Sequence, residues 1–221
     1  MPHVITAFTR PAAADIAAIG KYSTATIHEA QGRLGALDGR IKPVRQGLHV
    51  FGPALTAQCH IGDNLMIFEA INRAQPGDIL VVSAGNNPEQ GGFGDVLAAA
   101  CVGRGIAGLV IDAGVRDGAG LRQSGFPVFS LGLSIKGTSK ETLGTVGHPV
   151  TVGGELIAPG DIIVGDDDGV VVVRKEPQAL AAACQAREDA EAAMIEAFLR
   201  GEVDFSDRIA AMRAKGCTWD L

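Results

Sequence analysis

Short apolar runs bounded by glycine and proline recur along this sequence and restrict the folds that it can adopt. Residues 79–84 (ILVVSA), 107–112 (AGLVID) and 170–174 (VVVVR) each have the length and composition of a buried strand. Residues 64–74 (NLMIFEAINRA) and 95–105 (DVLAAACVGRG) are predicted as helices that precede and separate the first two runs. The sequence therefore predicts an α/β fold, with a compact strand-rich body between N-terminal helices and a C-terminal helical extension.

Further helices are predicted at both ends of the chain. Residues 11–20 (PAAADIAAIG) carry a proline suited to a first helical turn and end on glycine, and a second helix is predicted at residues 23–32. From Pro177 the sequence becomes rich in alanine and glutamate with a sparse apolar stripe, which is typical of an arm that packs on a neighbouring subunit. We therefore predict an α/β domain at residues 1–176 and a helical arm at residues 177–221.

Charge and composition argue against several classes of function. The net charge is −6, and no basic cluster indicates a nucleic-acid partner. The N-terminus lacks the basic and apolar regions of a secretory signal, and no apolar run reaches the ~18 residues of a membrane span. The four cysteines are scattered without a CxxC pair, which indicates reduced structural thiols and no zinc site. We expect a cytoplasmic protein without a membrane or nucleic-acid partner.

A Pro-Gly-Asp turn precedes two of the apolar strands, at residues 76–78 and 159–161. Proline followed by glycine suits the central positions of a tight turn. The two copies are compatible with a duplicated unit, but two similar turns that enter buried strands are the simpler interpretation. The acidic run at residues 165–169 (GDDDG) suits either a metal cluster or a solvated turn between strands, and we favour the turn.

The glycine-rich segment at residues 91–94 (GGFG) leads into a helix predicted to begin near Asp95. Free backbone N–H groups and the helix dipole at such a position bind small anions, including carboxylates and phosphates. Glycines allow the ligand to approach the backbone closely. The alternative is an ordinary loop in which Asp95 caps the helix. The segment is not a P-loop, because no Lys-Ser/Thr pair follows it.

Three charged residues follow the strand at residues 107–111, namely Asp112, Arg116 and Asp117. A carboxylate at the C-terminal end of a strand is well placed to hold a divalent cation, and hard oxygen ligands favour Mg²⁺ or Mn²⁺. Arg116 offers a fixed positive charge to a developing oxyanion. Asp112 is better suited to shaping the turn. An exposed Arg–Asp turn without a catalytic function is the alternative.

The glycine segment and the Arg-Asp turn are separated by one helix and one strand, so we expect them to meet at one edge of the sheet. An anion-binding helix start, a metal carboxylate and a cation then define a pocket for a small 2-oxo acid. Such a pocket can polarise the carbonyl of its ligand and allow an enolate to form without a Schiff base. Lys136 is the candidate for the alternative Schiff-base chemistry.

Several motifs occur in a familiar order, and together they resemble the 4-hydroxy-4-methyl-2-oxoglutarate aldolase family, which also includes the regulator of ribonuclease activity A. The motifs are TIHEAQGRLGALDGRI, GDN, PGDILVV, GGFGDVLA, GLVIDAGVRD, FPVFSLG, KGT and PGDIIVGDDDGVVVV, between about Thr26 and Arg174. The resemblance implies a swivelling-domain-like β/β/α body, assembled as trimers or hexamers with active sites between subunits.

The resemblance also implies that the protein is a class II pyruvate aldolase, which depends on Mg²⁺ or Mn²⁺ and also decarboxylates oxaloacetate. Its substrate would be a 4-hydroxy-2-oxo acid such as 4-hydroxy-4-methyl-2-oxoglutarate or 4-carboxy-4-hydroxy-2-oxoadipate. The alternative is a non-catalytic binding protein like the ribonuclease regulator. Regulator-like members tend to be shorter, so the C-terminal arm favours the aldolase.

The resemblance assigns roles to individual residues. Asp117 would hold the metal, and Arg116 would stabilise the enolate. The carboxylate of pyruvate would bind the backbone N–H groups of the loop that contains Gly94, Asp95, Val96 and Leu97. Asp95 would also hold metal-bound water, and a glutamate of the family corresponds to Glu29.

The sequence departs from the family pattern at two places. Phe68 stands where some relatives carry a histidine shortly after the GDN motif, which affects proton handling or the choice of substrate. The C-terminal helix of a neighbouring subunit would supply a glutamate to the water shell of the metal. Glu191 is the nearest candidate for that glutamate, although an ungapped count reaches Ala192.

Overall fold

The structure, a computed structural model, describes residues 1–5 and 7–219. Within these residues the helices are α1 (Ala13–Gly20), α2 (Thr24–Ala30), α3 (Leu65–Arg73), α4 (Asp95–Gly103), α5 (Gly118–Ser124), α6 (Pro177–Leu199) and α7 (Ser206–Ala214). The strands are β1 (His3–Val4), β2 (Lys42–Pro43), β3 (Val50–Gln58), β4 (Ile79–Gly91), β5 (Gly108–Gly114), β6 (Val128–Ser130), β7 (Thr145–Val146), β8 (Val150–Val152), β9 (Glu155–Ile157), β10 (Ile162–Asp166) and β11 (Gly169–Val172). The predicted mixed α/β class is confirmed.

The main sheet has a parallel centre and antiparallel flanks. Strands β3, β4, β5 and β6 pair in parallel in that order, so their carboxyl ends lie at one edge. Strand β2 pairs antiparallel with β6, and β7 pairs antiparallel with β3. The first half of β3 also pairs with β10, which forms a hairpin with β11. A separate hairpin joins β8 and β9.

The apolar core lies on both faces of the sheet. On one face, α3, α4 and α5 pack through residues such as Ile67, Cys101 and Leu121. On the other face, side chains of β8, β9, β10 and β11 pack against the sheet around Phe129. A third cluster joins α1 and α2 to β10, β11 and the start of α6, around Ile27. The strands are therefore buried from both sides, as their almost continuous apolar runs predict.

The chain divides into two compact units, residues 1–184 and residues 185–221. The division falls inside α6, where Leu180 and Cys184 are buried in the first unit. The second unit contains the rest of α6 and α7, and many of its large apolar side chains are exposed. Among residues 1–5 and 7–219, no helix combines the length and the apolar character that a membrane span requires.

Several local predictions can be compared with the structure. Ser23 caps α2, the second predicted helix, by accepting a hydrogen bond from the N–H of Thr26. The glycines of the two Pro-Gly-Asp turns, Gly77 and Gly160, both have φ of 90°, which is the left-handed conformation of a type II turn. The acidic run is a turn between β10 and β11, in which Asp167 accepts hydrogen bonds from the N–H of Gly47.

Two elements differ from the sequence-based interpretation. Strand β4 was predicted to end near residue 84, but it continues to Gly91. Its pairing with β5 shifts register after Val82 and after Asn87. Only residues 92–94 therefore separate β4 from α4. The short helix α5 after Asp117 was not predicted, because glycines at positions 118 and 120 conceal its start.

Candidate active site

A pocket with a volume of about 180 Å³ lies at the carboxyl ends of β4 and β5. Its lining includes residues 91–94, the first turn of α4 and the Arg116–Asp117 turn. Asn64, Phe68, Thr138 and Lys140 also line it. The two segments that the sequence linked across one helix and one strand therefore do meet at one edge of the sheet.

Backbone hydrogen bonds hold the two segments together. The N–H of Arg116 donates to the carbonyl of Phe93 at 2.8 Å, and the N–H of Gly92 donates to the carbonyl of Gly114 at 3.0 Å. The Asn64 side chain, which is almost fully buried, donates from Nδ2 to the carbonyl of Gly92 at 2.8 Å. These bonds fix the backbone of the glycine segment relative to the Arg-Asp turn.

Gly94 brings the start of α4 into direct contact with the two charged side chains. A methyl group at this position would overlap Asp117 Oδ2 and would lie 3.2 Å from Arg116 Cγ. Gly94 is also the N-cap of α4 and supplies no side-chain cap. The first N–H groups of a helix have no partner within the helix, so this end of α4 is suited to an anionic ligand.

Asp117 has an unusual backbone conformation, with φ of 56° and ψ of 40°. A non-glycine residue in this region stores roughly 1–3 kcal/mol of strain, and such residues cluster at functional sites. The Asp117 carboxylate does not cap α5, although the residue occupies the N-cap position. It lies 3.4 Å from Arg116 Nε and is 40% exposed, so its oxygens face the pocket and remain accessible to a ligand.

Asp112 has a structural role, as the sequence suggested. Its carboxylate is buried and accepts hydrogen bonds from the N–H groups of Ala84 and Asn86, where the register of β4 shifts. Burial raises the pKa of Asp112, and these donors only partly offset that effect. Asp112 therefore shapes the end of β4 and does not line the pocket.

Asp63, from the GDN motif, anchors the segment that contains the pocket-lining residues Thr138 and Lys140. Its Oδ2 accepts hydrogen bonds from Ser139 Oγ at 2.8 Å and from the N–H groups of Glu141 and Thr142 at 2.7 and 3.0 Å. Its Oδ1 accepts from the N–H of Leu65, in the first turn of α3. Burial alone would raise the pKa of Asp63, but these donors outweigh it and hold the pKa well below its usual value.

This arrangement predicts an acid-dependent loss of stability. Because the folded pKa of Asp63 is lowered, its stabilising effect is complete above the unfolded pKa near 4 and is lost as the pH falls further. The variant Asp63→Asn should therefore be less stable than the wild type at pH 7, and the difference should shrink in acid. Urea unfolding of both proteins between pH 7 and 3 measures this, and a constant difference would contradict it.

Three residues predicted for the site, Asp95, Glu29 and Glu191, are not among those that line this pocket. The carboxylate of Asp95 faces Gly120 of α5, where an added Cβ would lie 3.0 Å from Asp95 Oδ2. Glu29 is paired with Arg33, with Oε1 and Nε 3.0 Å apart, and does not line the pocket. Glu191 belongs to the second unit and is paired with Arg187 at 2.6 Å. Their catalytic roles stay predictions.

Lys136 is ion-paired with Glu89 on the exposed surface and does not line the pocket. The Schiff-base alternative therefore has no support from this geometry. Asn64, Thr138 and Lys140 also line the pocket, but no role was predicted for them. Asn64 and Thr138 end the GDN and KGT motifs, which could have identified them. Lys140 carries no local signal, since contacts with a segment distant in sequence bring it to the pocket.

The side chains of the described residues can be compared with the ligands that the predicted Mg²⁺ or Mn²⁺ requires. Among residues 1–5 and 7–219, no three His, Cys, Asp or Glu side chains are grouped to hold an ion. Mg²⁺ often binds through one or two carboxylates and keeps several waters. The accessible carboxylate of Asp117 fits that type of site.

The fold and sequence were compared with known proteins. A family model described as RraA-like, Aldolase/RraA, matches residues 24–172. A protein of Halalkalibacterium halodurans named "Putative 4-hydroxy-4-methyl-2-oxoglutarate aldolase" is 36% identical over 193 residues, which are 86% of this chain and 88% of that protein.

Solved structures show the same relationship. An uncharacterized protein from Pseudomonas syringae pv. tomato has a TM-score of 0.76 and 28% identity, covering 88% of this chain and 96% of its own. Streptomyces coelicolor RraAS2, described as an unusual member of the RNase ES inhibitor RraA family, has a TM-score of 0.68 and 30% identity. It covers 88% of this chain and 99% of its own. Together with the family model, these similarities show that the chain belongs to the RraA-like (Aldolase/RraA) family.

Proposed function

We propose that this protein is a divalent-metal-dependent pyruvate aldolase that cleaves 4-hydroxy-2-oxo acids and also decarboxylates oxaloacetate. The contact of Gly94 with the accessible carboxylate of Asp117 and with Arg116 is the observation that carries the proposal. A helix start, a cation and a hard oxygen donor, which together suit a 2-oxo acid, line one pocket. The similarity to the H. halodurans protein supports the same activity.

The chain itself supplies substrate binding and charge stabilisation. The N–H groups of residues 95–97 at the start of α4 bind the C1 carboxylate of the substrate, since the helix dipole favours an anion there. Arg116 donates to the C2 oxygen, on which negative charge develops as the substrate breaks down. Phe68 and Leu97 line the same pocket and contact the carbon chain.

Asp117 would hold Mg²⁺ or Mn²⁺, which when bound supplies Lewis-acid polarisation of the 2-oxo group. In the cleavage, the C4 hydroxyl gives its proton to water in the pocket and becomes a carbonyl, while the C3–C4 bond breaks. Its electron pair forms the enolate of pyruvate, whose oxygen Arg116 stabilises. We assign the protonation of C3 to water in the pocket. Loss of CO₂ from oxaloacetate gives the same enolate.

We further propose that residues 177–221 pack on a neighbouring subunit, whose site Glu191 would complete, and that Glu29 is a further catalytic residue. The described part of the second unit exposes many large apolar side chains, namely Met194, Ile195, Leu199, Val203, Phe205, Ile209, Met212 and Trp219. Such a surface is typical of a contact with another chain. Sedimentation equilibrium should give a trimer or hexamer of the 22.7 kDa chain, and a monomer at micromolar concentration would contradict the proposal.

A non-catalytic regulator is the second candidate, and the similarity to RraAS2 favours it. That protein covers 88% of this chain. That regulators tend to lack the arm stays a prediction from the sequence. The presence of both Arg116 and an accessible Asp117 in one pocket is the better criterion, because a protein that acts only through surface contacts requires neither.

The experiment that separates the two candidates is a coupled assay of pyruvate release. Oxaloacetate and 4-hydroxy-2-oxoglutarate are supplied with Mg²⁺, with Mn²⁺ or with EDTA. We expect metal-stimulated pyruvate from both substrates and none above background with EDTA. Pyruvate release that survives EDTA, with borohydride trapping of a pyruvate adduct, would overturn the metal mechanism. Absence of metal-stimulated pyruvate would favour the regulator.

A further inference from the structure

We propose that His3 and His148 form a binding site for a late transition-metal ion, Cu²⁺ or Ni²⁺, outside the pocket at the carboxyl ends of the parallel strands. His3 belongs to β1, and His148 lies between β7 and β8. Nδ1 of His3 and Nε2 of His148 are 2.9 Å apart. Neither residue lines the pocket that contains Arg116 and Asp117, so the site is independent of the proposed reaction.

The two rings differ from those of the other three histidines of the chain in what their nitrogens contact. His28, His49 and His60 each place a ring nitrogen against a backbone carbonyl oxygen. His3 and His148 instead direct one ring nitrogen each at the other, with ring centroids 5.1 Å apart and planes at 67°. Imidazole nitrogens are the commonest protein ligands of metal ions, and this pair brings two of them together.

The backbone fixes the two histidines on both sides of the pair. The N–H of Ile5 donates to the carbonyl of Val146 at 2.9 Å, which holds β1 against β7 just after His3. The hydroxyl of Thr56, a fully buried residue, donates to the carbonyl of His148 at 2.6 Å. Ligands attached to a fixed backbone lose less entropy on binding an ion than ligands on a mobile segment do.

The distance between the two nitrogens indicates the kind of ion. With metal–nitrogen bonds of roughly 2.0–2.1 Å, ligand atoms 2.9 Å apart subtend an angle of about 90° at the metal. That is the angle between neighbouring ligands of a square-planar or tetragonal ion, which is the geometry of Cu²⁺ and Ni²⁺ with nitrogen ligands, and it is narrower than the tetrahedral angle of Zn²⁺ sites. Mg²⁺ prefers oxygen ligands, so the histidine pair and the carboxylate of Asp117 select different ions.

The remaining coordination positions of such an ion are open to water. His3 is exposed and His148 is partly exposed, so a hydrated ion can reach the pair from solvent. Among residues 1–5 and 7–219, no third His, Cys, Asp or Glu side chain is grouped with them. We therefore expect weaker binding than at a structural site with four protein ligands. The ion would connect β1 to the turn after β7 and restrain β1.

Calorimetric titration of the untagged protein with Ni²⁺ tests this site. The titrations use an Asp117→Asn, Cys217→Ser background, which removes the carboxylate of the proposed active site and an exposed thiol. We expect one Ni²⁺ per chain, with an affinity at least about tenfold lower in His3→Gln and in His148→Gln, since each variant keeps one imidazole of the pair. His60→Gln is the matched control and should bind Ni²⁺ as the background does, because His60 lies against a backbone carbonyl.

Two further measurements identify the ligands and the effect on β1. The electron paramagnetic resonance spectrum of bound Cu²⁺ should show two imidazole nitrogens, and one in either single variant. Hydrogen exchange of the Ile5 N–H should slow at least about fivefold with Ni²⁺ in the background protein and stay unchanged in His148→Gln. Equal Ni²⁺ affinity of His148→Gln and the background would overturn the inference. Absence of Ni²⁺ binding would also overturn it and would show that the two rings only share a hydrogen bond.

Discussion

Replacing Asp117 with asparagine should reduce metal-dependent pyruvate release by at least about a thousandfold, because the loss of a Lewis acid removes several kcal/mol of stabilisation from the transition state. The substitution removes the negative charge but preserves the size of the side chain. Asparagine also tolerates the left-handed backbone that this position adopts, with φ of 56°. The folded structure should therefore survive, and coupled assays with oxaloacetate and 4-hydroxy-2-oxoglutarate measure the loss.

Two further measurements distinguish loss of the metal from loss of the folded structure in Asp117→Asn. Thermal unfolding of Asp117→Asn should match the wild type, whereas Asp117→Ala should also lose stability, because alanine does not favour φ > 0. Added Mg²⁺ should raise the melting temperature of the wild type and not that of Asp117→Asn. An Asp117→Asn protein with more than a tenth of the wild-type activity would show that Asp117 does not hold the metal.

Gly94→Ala should produce the second large loss of activity, of about a hundredfold, which is the typical cost of displacing catalytic groups by about 1 Å. The added methyl group would overlap Asp117 Oδ2 and crowd Arg116 Cγ. It would also cover the start of α4, where the substrate carboxylate is expected to bind. The backbone of Gly94 has φ of −151°, which alanine adopts freely, so the effect is local to the pocket.

The same helix provides the control. Gly103 ends α4, and a Cβ there would meet no atom within 4 Å. Gly103→Ala should therefore keep full activity and gain some stability. If the kcat/KM of Gly94→Ala equals that of Gly103→Ala, the crowded contact between the glycine segment and the Arg-Asp turn has no role in the reaction.

Much of this site could be predicted because its parts are encoded locally. Gly94 and Asp95 mark the start of a helix, and the charged turn at Arg116 follows an apolar strand. The carboxyl ends of parallel strands lie at one edge of a sheet. The glycine segment and the charged turn, which one helix and one strand separate in the sequence, therefore meet at that edge. The structure supports this juxtaposition through the hydrogen bond between the N–H of Arg116 and the carbonyl of Phe93.

The features that were missed depend on contacts between distant segments. Lys140 reaches the pocket because Asp63, 77 residues earlier in the chain, binds the segment around it. Nothing in the residues next to Lys140 reveals that contact. The length of β4 was missed for a related reason. Its last residues pair with β5 through register shifts that the carboxylate of Asp112 supports, so a polar segment remains in the sheet.

The most direct test of the account is the exchange of the methyl protons of pyruvate in D₂O, followed by proton NMR. Exchange requires the enolate but no C–C cleavage, so it does not depend on which 4-hydroxy-2-oxo acid is the substrate. We predict that the wild type with Mg²⁺ exchanges these protons far faster than buffer does. EDTA or Asp117→Asn should stop the exchange. Exchange that persists without metal, or none with metal, would contradict a metal-dependent enolate at Asp117 and Arg116.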